Sequence, residues 1–236
     1  MESPRLKARI AGGLYLVVIA GGLFAEIVRE QVVAVRDPAA TARNILANEA
    51  LYRAGFAAGL AILMCAVPIL VILYSLLKTV DRNVALLMVF FDLVSIAAEA
   101  ANLLNHFVPI VLLGGERYLD AGHAAQMQPL AYMALRIQSA GYNLSLSFFA
   151  WFCLTAGYLI FRSTFFPRFL GVLMAVAGVS YLANSFAFFL APAVAGQLFP
   201  AILVPSFVGE LALALWLLIV GVNVPRRHDF CREDAP

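Results

Sequence analysis

Charged side chains are scarce in this chain. Asp, Glu, Lys and Arg together make up 13% of its 236 residues, against ~25% in a typical soluble domain. Hydrophobic residues make up 63%, and the mean hydropathy is +0.90. Because a soluble fold of this size could not bury so much apolar surface, the composition excludes a soluble domain and predicts that the lipid bilayer surrounds the chain. The net charge of +2 is too small to indicate a nucleic-acid partner.

Cysteine is also rare, and the motifs of several common chemistries are missing. Cys65 and Cys153 lie in apolar runs, Cys231 lies in the polar C-terminal tail, and no two of them form a Cys-x-x-Cys pair. This spacing argues against a disulfide framework and against a thiolate zinc site. A phosphate-binding glycine loop, a His-Glu-x-x-His motif and a Gly-x-Ser-x-Gly motif are absent as well. The sequence therefore leaves the cofactor unknown.

Apolar runs dominate what remains. A bilayer core needs about 20 mainly apolar residues for each helix that crosses it. Six segments meet this length, at about 10–29, 52–77, 84–113, 129–161, 168–190 and 200–222. We predict an all-α, polytopic helical bundle with six transmembrane helices, preceded by residues 1–9 and followed by a tail at 223–236. Pro192, Gly196 and Pro200 divide the last long apolar run into a hairpin.

The distribution of Lys and Arg predicts the orientation. Ten of these residues lie beside the span ends that share a side with the two termini, and six lie on the other side. The positive-inside bias therefore places both termini in the cytoplasm and predicts a multi-pass protein of the cell (inner) membrane. Residues 18–20 would also fit a signal-peptide cleavage site. The apolar run at about 10–29 is nevertheless long enough to span the membrane.

The outer connections are longer than the inner ones. Residues 36–50 read as a short helix capped by Asp37 or Thr41. Residues 114–128 begin with glycine and continue with polar side chains. Short inner turns and longer outer segments indicate that the working face is the outer one.

One stripe of polar residues lies inside the third span. Asp92, Glu99 and His106 are seven residues apart, so on a helix they share one face, and Ser95 and Asn102 fall on that face too. Ionisable groups are costly in hydrocarbon and face a bundle interior or a watery cavity. The stripe therefore predicts a functional site. Asp92 lies deeper than the other four, and the sequence offers it no partner.

Polar residues of the other spans lie at a similar depth. Most of them fall in the outer half of the membrane, which predicts a polar pocket that opens outward or sideways. The predicted pocket residues are Glu26, Glu99, Asn102, His106, Tyr132, Arg136, Asn143, Tyr181, Asn184 and Glu210. Within the fourth span, Tyr132, Arg136 and Asn143 share one helix face.

The carboxylates require partners, because three glutamates and one arginine cannot all stay charged in a low dielectric. We predict that Arg136 pairs with Glu99 or Glu210. His106 would hydrogen-bond a carboxylate, or would bind a metal together with Glu99 and Glu210. Simpler readings stay open: Glu26 is solvated at the interface, Arg136 extends to the surface, and the buried polar groups hold helices together.

Several segments together resemble one bacterial membrane family. They are Ala8 to Gly12 with Glu26, Ala47 to Arg53, Asn102 to Asn105, Gly157 to Ile160, Pro167 to Gly171 and Gly209 to Trp216. The last of these is the most specific. The family is the domain of unknown function DUF4386, and the resemblance covers about residues 8–222. It implies a six-span protein with no established activity, and it carries over no catalytic residue.

Three functions fit these observations. The first is a binder or carrier of a small amphiphile or lipid, whose head group Arg136, Glu99 and Glu210 would hold. The second is an intramembrane enzyme that uses Glu99 or Glu210 as acid or base with His106. The third is a structural or sensory module, in which the stripe sets helix register. We favour the binder, with a homo-oligomer as a further expectation. Whether the chain is an enzyme, and what its ligand is, stay open.

Overall fold

Helices account for nearly all of the described chain, as the composition requires. The structure, a computed structural model, describes residues 3–114 and 124–222. Its helices are α1 (Pro4–Val32), α2 (Pro38–Ala47), α3 (Glu49–Leu77), α4 (Arg82–Leu113), α5 (Ala124–Arg162), α6 (Arg168–Leu190), α7 (Pro192–Leu198) and α8 (Val204–Ile219). A helix satisfies its own backbone hydrogen bonds, which lipid cannot do. The all-α prediction is confirmed for the described residues.

Six of these helices are long and apolar enough to cross a membrane. They are α1, α3, α4, α5, α6 and α8, the last with a 3₁₀ turn at Ala201–Leu203 before it. Each corresponds to one predicted span. The structure extends the first four at their ends and begins the sixth helix at Val204, because α7 and the 3₁₀ turn occupy the proline-rich hairpin. The predicted loop at 114–128 lies largely outside the described residues, and so does the tail at 223–236.

The short helix between α1 and α3 is present as predicted. Asp37 Oδ1 accepts a hydrogen bond of 2.8 Å from the backbone N–H of Ala40, so Asp37 is the N-cap. Thr41, the other predicted cap, lies inside α2, and its hydroxyl donates to Ala34 O and Asp37 O. The helix ends at Ala47, and α3 begins two residues later at Glu49.

The six spans pack in a ring. In order, α1 contacts α3, α3 contacts α4, α4 contacts α5, α5 contacts α6, α6 contacts α8, and α8 returns to α1. The first and last spans meet at the end that carries the termini, where Arg9 Nη2 donates to the backbone oxygen of Ile219 at 3.2 Å. The start of α1 and the end of α8 therefore lie at the same end of the bundle, which is called the terminal end below. Their cytoplasmic location stays a prediction.

The buried apolar side chains form two separate clusters at different levels of the bundle. The larger cluster lies towards the terminal end and includes Tyr15, Met88 and Phe152. The smaller one lies towards the opposite end and includes Val28 and Leu135. Neither cluster has a buried member from 16–27 of α1, 89–109 of α4 or 136–151 of α5. The level between the clusters is therefore where polar side chains enter the interior.

Candidate functional site

The polar stripe of α4 faces the interior, as its spacing predicted. Asp92, Ser95 and Asn102 are all buried. The Ser95 hydroxyl donates to the backbone oxygen of Ser145 on α5 at 2.9 Å. The stripe therefore lies against α5, the helix with which α4 packs along much of its length.

Glu99 sits at the centre of this stripe with one oxygen engaged and one open. Its Oε2 accepts hydrogen bonds from Asn102 Nδ2 at 3.1 Å and from the Ser145 hydroxyl at 3.2 Å. Its Oε1 accepts none from any residue in the described part of the chain. Glu99 is also only partly buried. A carboxylate that is held in place but has a free oxygen can accept a hydrogen bond or an ion pair from a ligand.

Asn102 fixes Glu99 and joins α4 to α5. The Asn102 amide also donates to the backbone oxygen of Gln138 at 3.0 Å. It can reach that oxygen because residue 141 is glycine: a Cβ there would overlap Oδ1 and Cγ of Asn102 and would lie 3.0 Å from its Nδ2. Gly141 therefore makes room for the side chain that positions Glu99.

We expect Gly141→Ala to lower the stability of the protein by about 2 kcal/mol, because the new methyl group overpacks the α4–α5 contact. Alanine is the better helix former by about 1 kcal/mol, so any loss has a steric cause. Gly13→Ala is the control, since its Cβ would meet only Leu218 Cδ1 at 3.9 Å. Thermal unfolding in detergent measures both. A Gly141→Ala protein as stable as the control would contradict the packing described above.

Glu210 of α8 is the second interior carboxylate, and both its oxygens have partners. Tyr15 of α1 donates its hydroxyl to Oε2 at 3.1 Å, and Tyr181 of α6 donates its hydroxyl to Oε1. The Tyr181 ring in turn meets the Phe149 ring of α5 edge-on, with centroids 5.6 Å apart. Glu210 therefore joins three spans, and its geometry is that of a structural acceptor.

Asp92 lies near Glu210, and it is not the separate feature that the sequence indicated. Asp92 is ten residues from the terminal end of α4, and Glu210 is nine from the terminal end of α8, so at 1.5 Å per residue they lie at nearly the same depth. The two carboxyl groups interact electrostatically. The Asp92 side chain is only 6% exposed, yet no residue in the described ranges donates a hydrogen bond to it.

The predicted pairing of Arg136 with Glu99 or Glu210 is wrong. Within the described residues, Arg136 is exposed and forms no ion pair with either carboxylate. It lies nine residues from Ser145, or about two and a half turns, and so points to the opposite side of α5. Glu26, another predicted pocket residue, pairs with Arg29 of its own helix, and both side chains are about two-fifths exposed.

The prediction that His106 would hydrogen-bond a carboxylate is also wrong. His106 Nε2 lies 3.2 Å from the backbone oxygen of Tyr52, and the two rings stack with centroids 4.3 Å apart. The Tyr52 hydroxyl donates to the backbone oxygen of His106 at 2.6 Å. His106 therefore ties α4 to α3. In the described ranges, no three His, Cys, Asp or Glu side chains gather where they could hold a metal.

Three other predicted pocket residues belong to separate contacts. Asn184 Nδ2 donates to Asn143 Oδ1 at 2.9 Å, and both side chains are buried between α5 and α6. The Tyr132 hydroxyl accepts from the backbone N–H of Arg36 at 3.0 Å, which holds the α1–α2 connection. The face of α5 that was predicted from Tyr132, Arg136 and Asn143 is thus rotated away from the interior face.

Tyr142 lies on the interior face of α5, and the sequence analysis did not single it out. Its side chain is 44% exposed, although Leu135, Ser145 and Leu146 on the same helix face are all at most 6% exposed. No described residue hydrogen-bonds to its hydroxyl. The charges of Glu99, Glu210, Glu26 and Arg29 all act on that hydroxyl. The signal was its spacing: Tyr142 lies three residues before Ser145 and seven after Leu135.

A matching open position lies on α1. Gly12 packs against Leu218 of α8 and Gly21 against Ile62 of α3, on opposite sides of α1, and Gly22 shares one side of the helix with Tyr15. A Cβ at Gly22 would meet no atom within 4 Å. Gly22 is seven residues beyond Tyr15, which is the last residue of α1 buried in the larger apolar cluster. A larger side chain at Gly22 would therefore enter open space.

A concavity lies beside the α4–α5 pair. It is a shallow groove of about 420 Å³ bordered by Asn102 and Asn105 of α4, Ile137 and Leu144 of α5, and Phe189 of α6. No carboxylate lines it. It is the competing location for any ligand.

The comparison with protein families decides the relationship that the segments indicated. A family model described as Domain of unknown function (DUF4386) matches residues 10–221. The chain belongs to the DUF4386 family. The match includes nearly all of α1 and the whole of the other five candidate spans, so the residues of the DUF4386 domain are those described above. No curated protein and no solved structure matches the chain.

Proposed function

We propose that the protein binds a small amphiphile in a crevice inside the bundle, at the level between the two apolar clusters. The observation that carries this proposal is the 44% exposure of Tyr142 on a helix face whose neighbouring residues are packed. We infer from the burial of those neighbours that the exposed surface of Tyr142 faces the interior of the bundle. We define the interior crevice by Gly22 of α1, Glu99 of α4 and Tyr142 of α5.

The polar groups of the interior crevice suit a head group. Glu99 Oε1 is an acceptor without a partner among the described residues, and the Tyr142 hydroxyl can donate or accept. Asn102 and Ser145 hold Glu99 in place from one side. A ligand site of this kind needs few polar groups, provided that other contacts fix them.

The surroundings of the interior crevice suit an apolar tail. The clusters above and below it are apolar, and α1 offers an empty surface at Gly22. A polar head group without a tail would find few partners at this level. An acyl or alkyl chain would move from lipid to apolar side chains, so burying it there costs little. The ligand is therefore amphiphilic.

The geometry favours binding over acid–base catalysis. Catalysis of the kind considered for Glu99 or Glu210 requires a partner group within hydrogen-bond reach. In the described part of the chain, His106 contacts Tyr52 and neither carboxylate. Both oxygens of Glu210 are occupied by tyrosine hydroxyls, which leaves it no position for a reacting atom.

The test is native mass spectrometry of the protein purified from membranes in a mild non-ionic detergent. We expect wild type to retain an organic mass and Tyr142→Ala to lose it. Tyr158→Ala is the matched control, because Tyr158 is on the same helix, is 48% exposed, and lies sixteen residues away on a different face. Equal retention by all three proteins would contradict the proposal and would direct attention to the groove beside Phe189.

A further inference from the structure

The ionisable side chains around the interior crevice are mostly acidic. Three carboxylates and one guanidinium act on the Tyr142 hydroxyl: those of Glu99, Glu210, Glu26 and Arg29. The guanidinium of Arg29 is already paired with Glu26. Arg136, the cation predicted to hold an anionic head group, is exposed on the other side of α5. Acidic side chains therefore outnumber basic side chains around the interior crevice.

Asp92 provides an independent indication. Asp92 is 6% exposed as a whole residue, and no described residue donates a hydrogen bond to its carboxyl group. Like Glu99, it lies on the interior stripe of α4, two turns nearer the terminal end. Charges from Asp92 and Glu210 also act on the hydroxyl of Tyr15. An acidic group on the interior stripe that has no donor among the described residues can accept a hydrogen bond from a ligand.

The aromatic surface around the carboxylates fits the same kind of ligand. The exposed ring of Tyr142 is available to a cation, and the ring of Tyr181, whose hydroxyl donates to Glu210, meets the ring of Phe149 edge-on. Tyrosine and phenylalanine rings attract cations through their electron-rich faces, most strongly where water is excluded. An anion would face carboxylate oxygens and ring faces, both of which repel it.

We infer that the ligand of the interior crevice is a cationic amphiphile, an alkylated ammonium head group with an apolar tail, bound by Glu99 and Tyr142. This inference rests on the proposed function, since it names the class of ligand for the same site. The ammonium group pairs with the open Oε1 of Glu99 and packs on the ring of Tyr142. Asp92 and Glu210 lie nearer the terminal end, and the tail lies against the apolar walls.

The test uses three probes with the same twelve-carbon tail: dodecyltrimethylammonium, dodecyl sulfate and dodecanol. Each is added at the same concentration, below micelle formation, to the protein in a non-ionic detergent, and bound probe is counted by native mass spectrometry. We expect the Kd of the ammonium probe to be at least about tenfold lower than the Kd of either other probe.

Two variants distinguish the effect of the Glu99 carboxylate from the presence of the binding site itself. Glu99→Gln keeps the shape of the side chain, and we expect it to reduce ammonium binding to the level of dodecanol. Glu30→Gln is the matched control, because Glu30 is an exposed carboxylate at the end of α1. Tyr142→Ala should weaken binding of all three probes.

The outcomes distinguish the two proposals. Equal binding of the three probes to wild type, or preference for the sulfate, overturns the inference, while a loss of that binding in Tyr142→Ala leaves the proposed function standing. Ammonium binding that survives Glu99→Gln also overturns the inference. If no probe binds to wild type, both proposals fail.

Discussion

Gly22→Phe should abolish amphiphile binding while leaving the fold intact. A Cβ at this position would meet no atom within 4 Å, so the phenyl ring can enter the interior crevice without displacing backbone or packed side chains. It would then occupy the space between Glu99 and Tyr142 that a ligand needs. We expect binding of dodecyltrimethylammonium to weaken by more than about a hundredfold, equivalent to about 3 kcal/mol.

Gly13→Phe is the control for this experiment. It adds the same side chain to the same helix, where the new Cβ makes only an ordinary contact of 3.9 Å with Leu218. Native mass spectrometry measures binding, and thermal unfolding shows that both variants are folded. Unchanged binding by a folded Gly22→Phe protein would mean that the ligand lies elsewhere, as in the groove beside Phe189.

Glu210→Leu should destabilise the protein more than any substitution of Glu99. Glu210 accepts hydrogen bonds from Tyr15 and Tyr181, so leucine would leave two buried hydroxyl groups without an acceptor. Interhelical hydrogen bonds in membrane proteins contribute about 0.6 to 1.7 kcal/mol each, and unpaired buried groups add a desolvation cost. We expect a loss of about 2 kcal/mol, measured by thermal unfolding in detergent.

The double variant Tyr15→Phe, Glu210→Leu tests the cause. Removing both partners of one hydrogen bond costs less than removing one, so the second change should restore part of the lost stability. Glu99→Gln is the comparison, and we expect it to lower stability by less than about 1 kcal/mol, because one oxygen of Glu99 is free. A Glu210→Leu protein as stable as Glu99→Gln would contradict the structural role of Glu210.

The spans were predictable because hydropathy and proline positions determine them locally. Each of the six apolar segments became a helix, and Asp37 capped the helix between α1 and α3 as expected. The heptad spacing of α4 also placed Asp92, Glu99 and Asn102 on the interior side. These features depend on short-range rules of helix period and capping. The family match over residues 10–221 confirms the resemblance.

The partners of the polar residues were not predictable, because they depend on how each helix is rotated. Choosing the face of α5 that holds Arg136 and Asn143 led to the wrong pairing, since Ser145 and Tyr142 are the residues that face Glu99. A search for polar side chains in the spans does not select Tyr142, because its ring is largely apolar. The neighbours of Glu99 and Glu210 come from α1, α5 and α6, and no sequence pattern records which spans meet.

The depth of Asp92 shows the same limit. Counting from the apolar run placed it apart from the other carboxyl groups, whereas the structure brings it within electrostatic range of Glu210. Helix ends differ by several residues from apolar run ends, and the sixth span begins later than its sequence indicates. Small shifts at each end therefore change which residues lie level with one another.

The most direct test of the interior crevice is thiol labelling of Gly22→Cys with a membrane-impermeant, charged methanethiosulfonate, measured as added mass relative to the unsubstituted chain. Val17→Cys is the control, because Val17 is 49% exposed on the outward face of α1 and would contact lipid. We expect Gly22→Cys to be labelled, Val17→Cys to be unlabelled, and dodecyltrimethylammonium to slow the labelling of Gly22→Cys. Labelling of neither variant, or labelling of Gly22→Cys at a rate that the amphiphile does not change, would contradict an amphiphile site inside the bundle.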